Sequence, residues 1–294
     1  MRIALIGANG QLGSDLVRAL RTVDLVPLTH RDVDICDETC TDRLSQICPD
    51  HVINTAAFNR VDDAERDASA AFRVNAAAVY RLARWCAQNG SVLIHISTDY
   101  VFGGDRVRTT PLTESDSPAP LDAYGCSKLA GEFAVRATGC RHFIIRTSGL
   151  YGHAGSSGKG GNFVETMLRL AHEGKPIRVV DDQRLTPTFT ADLAAKMAQL
   201  LHTDRFGLYH ITNTGDCTWY EFAAEIFRLS GLQPDLGPTT TASFGAPALR
   251  PAYSVLAHRA LLAAGLSDMP HWREALQRYL ADRPSAAGTT AFGP

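Results

Sequence analysis

Short apolar runs alternate with longer stretches of helical periodicity through the first half of the chain. Residues 2–6 (RIALI), 25–28, 51–53, 91–97 (SVLIHIS) and 142–146 (HFIIR) are short and apolar enough for buried strands. Between them, residues 11–21, 37–47, 64–89 and 123–138 repeat apolar positions every three to four residues, as helices with one buried face do. The stretch 64–89 is long enough for one or two helices. Strands alternating with helices in this way predict an α/β fold around a doubly wound parallel sheet. Right-handed crossovers then bring every strand's C-terminal end to one edge, where such sheets bind ligands.

After about residue 151 the pattern changes. A Gly/Ser-rich stretch, 153–162, interrupts it. Helical patterns follow at 163–173, 191–201 and 219–229, with short strand patterns at 177–180 and 208–212 and a Pro/Thr segment between. This predicts a smaller C-terminal lobe over residues 151–282 that caps the sheet edge, with some chain crossing back. Residues 283–294 are rich in Ser, Ala, Gly, Thr and Pro and read as a flexible tail without catalytic content. No internal repeat is visible.

Composition narrows the classes. The 294 residues are 45% hydrophobic and 20% charged, which suits an ordinary packed core. With 29 basic and 31 acidic side chains the net charge is -2, so there is no basic excess for nucleic acid to read. The seven cysteines are odd in number and show no CxxC spacing, which argues against zinc and against a disulfide framework. Free thiols fit a reducing cytoplasm. The opening MRIALIGANG runs straight into a glycine turn and lacks the form of a secretory signal; no apolar run is long enough to cross a membrane.

Two motifs carry chemistry. Gly7, Gly10 and Gly13 form GxxGxxG between the first strand and the first helix. Gly7 allows a tight turn, Gly10 lets backbone approach a pyrophosphate, and Gly13 lets helix and strand pack closely. The helix N-terminus adds free N–H groups for phosphate. Asn9, Gln11 and Leu12 share this turn. A glycine-rich turn without a ligand has the same pattern. Its place at residue 7 of an α/β chain favours an NAD(P)-binding Rossmann domain over residues 1–150. After the second strand comes Thr29-His30-Arg31, with no carboxylate before Asp32. That favours NADP(H), with Arg31 on the 2′-phosphate, and leaves NAD(H) open. Asp34 and Ile35 are placed to border adenine.

The second motif is Tyr124 and Lys128, four residues apart on one helical face. Reducing a ketone puts negative charge on its oxygen, and a positioned acid must protonate it. A phenol titrates near ~10; a nearby ammonium lowers that value. Such a pair is common by chance as a surface Tyr/Lys pair. Here the fourth strand ends at Ser97-Thr98-Asp99-Tyr100, so the Thr98 hydroxyl falls at the same sheet edge, ready to donate to the carbonyl. The ordered set is more specific than any of its parts.

These residues resemble the extended short-chain dehydrogenase/reductases, and most closely the dTDP-4-dehydrorhamnose reductases. The similar segments include GANGQLG (7–13), NTAAFNRVDDAE (54–65), VNAAA (74–78), STDYVF (97–102), PLTESDSPAPLDAYGCSKLAGE (111–132), RTSGLYG (146–152), GNFVETMLRLA (161–171), VVDDQRLTPTFTADLA (179–194) and ALRPAYSVL (248–256). The resemblance implies hydride delivery from NAD(P)H to C4 of dTDP-4-dehydro-L-rhamnose, giving dTDP-L-rhamnose, with Thr98, Tyr124 and Lys128 as the catalytic set. Lys128 would hold ribose and tune Tyr124. Ala56, Ala57 and Asn75 would line the cofactor. Asp99 and Tyr100 would flank the sugar, and Asn162, Gln183, Thr188 and Arg250 would contact the nucleotide sugar. Asn162 also reads as a helix N-cap, and Arg250 as a loop residue. Arg146 and Thr147 would enter the cleft.

Three departures stand out. Gly149 occupies the place of a tryptophan usual in the family, and Phe58 that of a tyrosine. Some members hold Mg2+ through glutamates at a dimer contact; Asp15 lies near the first helix here, without a matching glutamate set. No metal is therefore expected, and a homodimer stays open. Two rivals remain: a reductase of another 4-keto nucleotide sugar, and a non-catalytic NADP-binding chain like the regulatory subunit of methionine adenosyltransferase.

Overall fold

A computed structural model describes residues 1–154 and 161–283. Most of the Gly/Ser-rich stretch and the tail after residue 283 therefore lie outside the described residues.

The first half runs β1 (Arg2–Ile6), α1 (Gln11–Ala19), β2 (Asp24–Leu28), α2 (Cys40–Ile47) and β3 (His51–Asn54). It continues through α3 (Val61–Arg66), α4 (Ala68–Phe72), α5 (Ala78–Asn89), β4 (Val92–Thr98), α6 (Ala123–Ala137) and β5 (His142–Thr147). A single π-helical turn, Arg73–Ala77, joins α4 to α5. The helical stretch after β3 is thus broken into several pieces. Asp67 breaks it first: its backbone leaves helical geometry, and its carboxylate caps α4 by accepting from the Ala70 N–H. The second half contains β6 (Leu150–Tyr151), α7 (Phe163–His172), β7 (Ile177–Val180), β8 (Arg184–Leu185), β9 (Thr188–Phe189) and α8 (Thr190–Leu200). Then come β10 (Gly207–His210), β11 (Cys217–Thr218), α9 (Trp219–Ser230), β12 (Leu236–Thr239), α10 (Thr241–Phe244), α11 (Arg259–Ala263) and α12 (Trp272–Ala281).

Six strands form one parallel sheet in the order β10-β5-β4-β3-β1-β2. The fold is a Rossmann-type α/β sheet. Chain direction across the sheet reverses between β1 and β3, which opens a crevice at their C-terminal ends. The strands are apolar on both faces because both faces are covered. Ile3, Leu5, Ile53, Ile94 and Ile145 face one core with Leu12 and Leu16 of α1 and Leu193 and Met197 of α8. Ala4, Ile6, Val52, Leu93 and Ile144 face the other with Leu44, Val79, Leu82 and Cys86.

A separate apolar cluster holds the lobe together. Tyr151, Val164, Phe189, Phe222, Trp272, Leu276 and Tyr279 belong to it. The chain leaves this lobe in the middle: α8 packs on α1, and β10 joins the main sheet beside β5. Helix α12 is not among the elements expected from the sequence, although its buried positions 272, 275, 276 and 279 have helical spacing.

Candidate active site

A cleft of about 590 Å³ runs along the C-terminal sheet edge, between the sheet and the lobe. The glycine turn forms one wall. Gly7 has φ +83°, and a Cβ there would meet the Thr55 hydroxyl at 2.5 Å. A Cβ on Gly13 would sit 2.1 Å from the Gly7 carbonyl oxygen. Helix α1 can start this close to β1 only because neither position carries a side chain. Gly7, Asn9, Gly10, Gln11, Leu12 and Gly13 all line the cleft.

Beyond β2 the wall is formed by His30, Val33 and Ile35. Arg31 and Asp34 are not part of it; both are exposed. A tight turn explains this. The Asp32 and Val33 N–H groups both donate to the Thr29 carbonyl, and the Asp32 carboxylate accepts from Thr29. The turn buries Val33 and leaves His30 exposed on the cleft wall, with Arg31 and Asp34 off it. Asp34 accepts instead from the Cys36 N–H at 2.9 Å.

Ala56 and Ala57 line the cleft, whereas Asn75 stands behind it. Asn75 accepts from the Phe58 N–H, donates to the Phe58 carbonyl, and donates to the Ser127 hydroxyl, each at 2.9 Å. It therefore clamps the loop after β3 to α6 and has no direct place on the cleft wall.

Thr98, Tyr124 and Lys128 meet at the crevice. Thr98 ends β4. Asp122 caps α6 by accepting from the Gly125 N–H at 2.6 Å, which fixes the start of the helix carrying the other two. Lys128 is buried, and its Nζ donates to the Ile96 carbonyl at 2.6 Å. Burial pushes the ammonium down to about 8, with Glu132 opposing. Burial likewise pushes the Tyr124 phenol above its ordinary value, with the Thr98 hydroxyl opposing. The expected lowering by Lys128 does not prevail: with the ammonium anchored on backbone, desolvation decides, and the phenol stays protonated at neutral pH.

Asp99 also lines the cleft, but its carboxylate is engaged. It accepts from Ser148 at 2.8 Å and Ser254 at 2.5 Å, and from Thr98 at 3.2 Å. Burial raises its pKa while these three hydroxyls oppose the rise. Tyr100 reaches the wall and packs edge-on against Tyr124, with ring centroids 5.7 Å apart.

The other expected substrate contacts separate. Asn162 is on the wall and is also the N-cap of α7, accepting from the Glu165 N–H at 3.0 Å and donating to the Gly152 carbonyl at 2.8 Å. Gln183 and Thr188 lie off the wall: Gln183 donates to the Thr241 hydroxyl, and Thr188 is fully buried where β9 pairs with β6. Arg250 is not on the wall; it pairs with Asp62 at 2.9 Å. Arg146 is buried against Glu132, while Thr147 lines the cleft. Asp15 is engaged by Thr190 at 2.5 Å and Arg18 at 3.0 Å. Among the described residues no cluster of His, Cys, Asp or Glu has the arrangement of a metal site.

Sequence reasoning missed His30, Ser148, Phe163 and Trp219 as wall residues. Ser148 follows β5 directly, so a strand-end signal existed for it. Nothing local marks the other three.

A Rossmann sheet with a glycine turn, and a hydroxyl, a phenol and a lysine gathered at its switch point, defines an NAD(P)-dependent oxidoreductase of the extended short-chain kind. The chain belongs to the family whose model is described as RmlD substrate binding domain, which matches residues 1–284. It is 42% identical to the spore coat polysaccharide biosynthesis protein SpsK of Bacillus subtilis, over 97% of this chain and 99% of that protein. It is 40% identical to a dTDP-4-dehydrorhamnose reductase of Streptomyces griseus, over 100% of this chain and 97% of the relative. The crystal structure of a dTDP-4-dehydrorhamnose reductase from Bacillus anthracis in complex with NADP superposes with a TM-score of 0.90 at 40% identity, covering 96% of this chain and 99% of that one.

Proposed function

We propose that this chain reduces the C4 keto group of dTDP-4-dehydro-L-rhamnose to give dTDP-L-rhamnose, using NAD(P)H. The observation that carries the reading is the meeting of Thr98, Tyr124 and a buried Lys128 at the switch point. The full-length similarity to reductases of that name supports the substrate.

The residues present fit a dinucleotide. The turn at Gly7 and Gly13 leaves no room for a Cβ, so backbone alone faces a pyrophosphate there. Val33 and Ile35 offer an apolar slot for adenine, and His30 stands where the adenosine ribose would lie. When bound, the cofactor supplies the hydride. Tyr124 supplies the proton to the oxygen as charge develops on it. Thr98, on the same cleft wall as Tyr124, orients that oxygen. Lys128, fixed on the Ile96 carbonyl, keeps two N–H donors for ribose hydroxyls and a positive charge near the developing alkoxide. The Asp99 network holds Thr98, Ser148 and Ser254 in one geometry, so the site is organised before substrate arrives.

All seven cysteines are unpaired, which supports a cytoplasmic setting. The deciding experiment follows NADPH consumption with purified dTDP-4-dehydro-L-rhamnose. Turnover of another dTDP-keto sugar but not this one would reassign the substrate. NADP binding without turnover of any would favour a regulatory role.

A further inference from the structure

We infer that Phe163 and Trp219 form the platform on which the pyrimidine base of the substrate's nucleotide stacks. This rests on the dTDP-sugar reading above and assigns a subsite within it.

Each ring is the first residue of a helix in the lobe: Phe163 opens α7 and Trp219 opens α9. Both line the cleft and both are partly exposed. Their centroids lie 4.7 Å apart at an interplanar angle of 47°. Behind them the fully buried Phe222 supports both, at 5.6 Å from Phe163 and 6.4 Å from Trp219. The backbone under each is fixed. Asn162 caps α7, and Thr218 with Glu221 forms a reciprocal capping box on α9. The rings are therefore held in place before any ligand binds, with one side on the lobe core and the other toward the cleft.

The cofactor does not account for them. Its adenine end would lie past β2, where Val33 and Ile35 line the wall at one edge of the sheet. Its reactive end must reach Thr98 and Tyr124. Phe163 and Trp219 belong instead to the lobe that follows β5 and line a further part of the same cleft. In a dTDP-hexose the keto carbon sits at Tyr124, and two phosphates and a deoxyribose separate the hexose from its base. The base therefore lies well away from the chemistry, toward the lobe. A flat aromatic face stacks on a pyrimidine regardless of its ring substituents, so this platform gives affinity and the base edge must be read elsewhere. Gly161 and Asn162, also on the wall, bring the amino end of α7 beside the rings, where unpaired N–H groups suit the diphosphate.

The test uses Trp219→Phe and Trp219→Leu, which both keep bulk at the position, with NADP+ saturating. Trp219→Phe is expected to bind dTDP nearly as wild type. Trp219→Leu is expected to bind dTDP roughly 10- to 100-fold more weakly by calorimetry. Binding of inorganic pyrophosphate, which has no base, stays the same in all three proteins. The wild type gives an independent readout: Trp85 and Trp272 are buried, so dTDP should quench the emission of Trp219. Equal dTDP affinity in the two variants, or dTDP binding without quenching, overturns the platform. If dTDP quenches but the wild type does not reduce the keto sugar, the proposed reaction falls and the platform stands.

Discussion

Glu132 and Arg146 lock the catalytic helix to the sheet through two hydrogen bonds, Nε to Oε1 at 2.8 Å and Nη2 to Oε2 at 2.7 Å. Both side chains are buried. The Ser97 hydroxyl donates to the same carboxylate at 2.6 Å, and the guanidinium lies over Phe102 at 4.9 Å. One carboxylate thus ties α6, which carries Tyr124 and Lys128, to the ends of β4 and β5, which carry Thr98 and Thr147. Removing it leaves a guanidinium buried without its partner. Glu132→Ala should lose about 3–5 kcal/mol, seen as a melting temperature lower by roughly 10 °C. A melting temperature equal to wild type would mean that the pair does not hold the helix.

Tyr124→Phe removes the acid and leaves the ring. Turnover should fall by about 10²- to 10⁴-fold while NADP+ affinity measured by calorimetry stays close to wild type. Residual activity near the wild-type level would show that the proton comes from another group.

Lys128 gives activity and stability opposite pH dependences. Its pKa is pushed from 10.5 down to about 8, so the ammonium is lost as pH rises through 8, and kcat/KM should fall there. Between about 8 and 10.5 the unfolded chain binds more protons at this group than the folded one, so its contribution to stability rises with pH across that window. Below pH 8 the buried charge costs stability on the order of 3 kcal/mol. Lys128→Met should therefore be inactive yet more resistant to urea at neutral pH. Denaturation curves at pH 7 and pH 10 check this; the advantage of the variant should shrink at the higher pH.

His30, on the wall beyond β2, is the residue we propose beside the 2′-phosphate of NADP(H). His30 faces the cleft and Arg31 does not. NADPH should give the higher kcat/KM, and His30→Asp should lower that preference by roughly tenfold by placing a carboxylate beside the 2′-phosphate. Arg31→Ala should change little. A large loss with Arg31→Ala and none with His30→Asp would return Arg31 to the site.

These contrasts show what the sequence could and could not carry. The strands, the glycine turn and the Tyr124/Lys128 spacing are local features with a fixed period, so they are readable one segment at a time. His30 and Arg31 differ by one residue, and the turn made by Thr29 and Asp32 decides which lines the cleft. Strand periodicity ends before that turn. The family resemblance implies a cofactor contact for Asn75; its side-chain partners in the fold are Phe58 and Ser127, 17 and 52 residues away. Arg250 and Asp62 are 188 residues apart, and only the closed fold shows that the arginine is already paired. The helix at Trp272–Ala281 is the opposite case: its periodicity was readable, but short neighbouring segments hid it.

Gly149 sets a limit on redesign of this cleft. It lines the wall with φ +55°, and a Cβ there would approach the Leu185 side chain at 3.0 Å and the Pro187 Cα at 3.1 Å. A side chain at this point would take a left-handed backbone, and its Cβ would need the Leu185 side chain and the Pro187 backbone to give by a few tenths of an ångström. Libraries that diversify the sugar pocket position by position leave that accommodation to chance. A change of sugar preference through this residue is better sought by varying 149 and 185–187 together as one cassette.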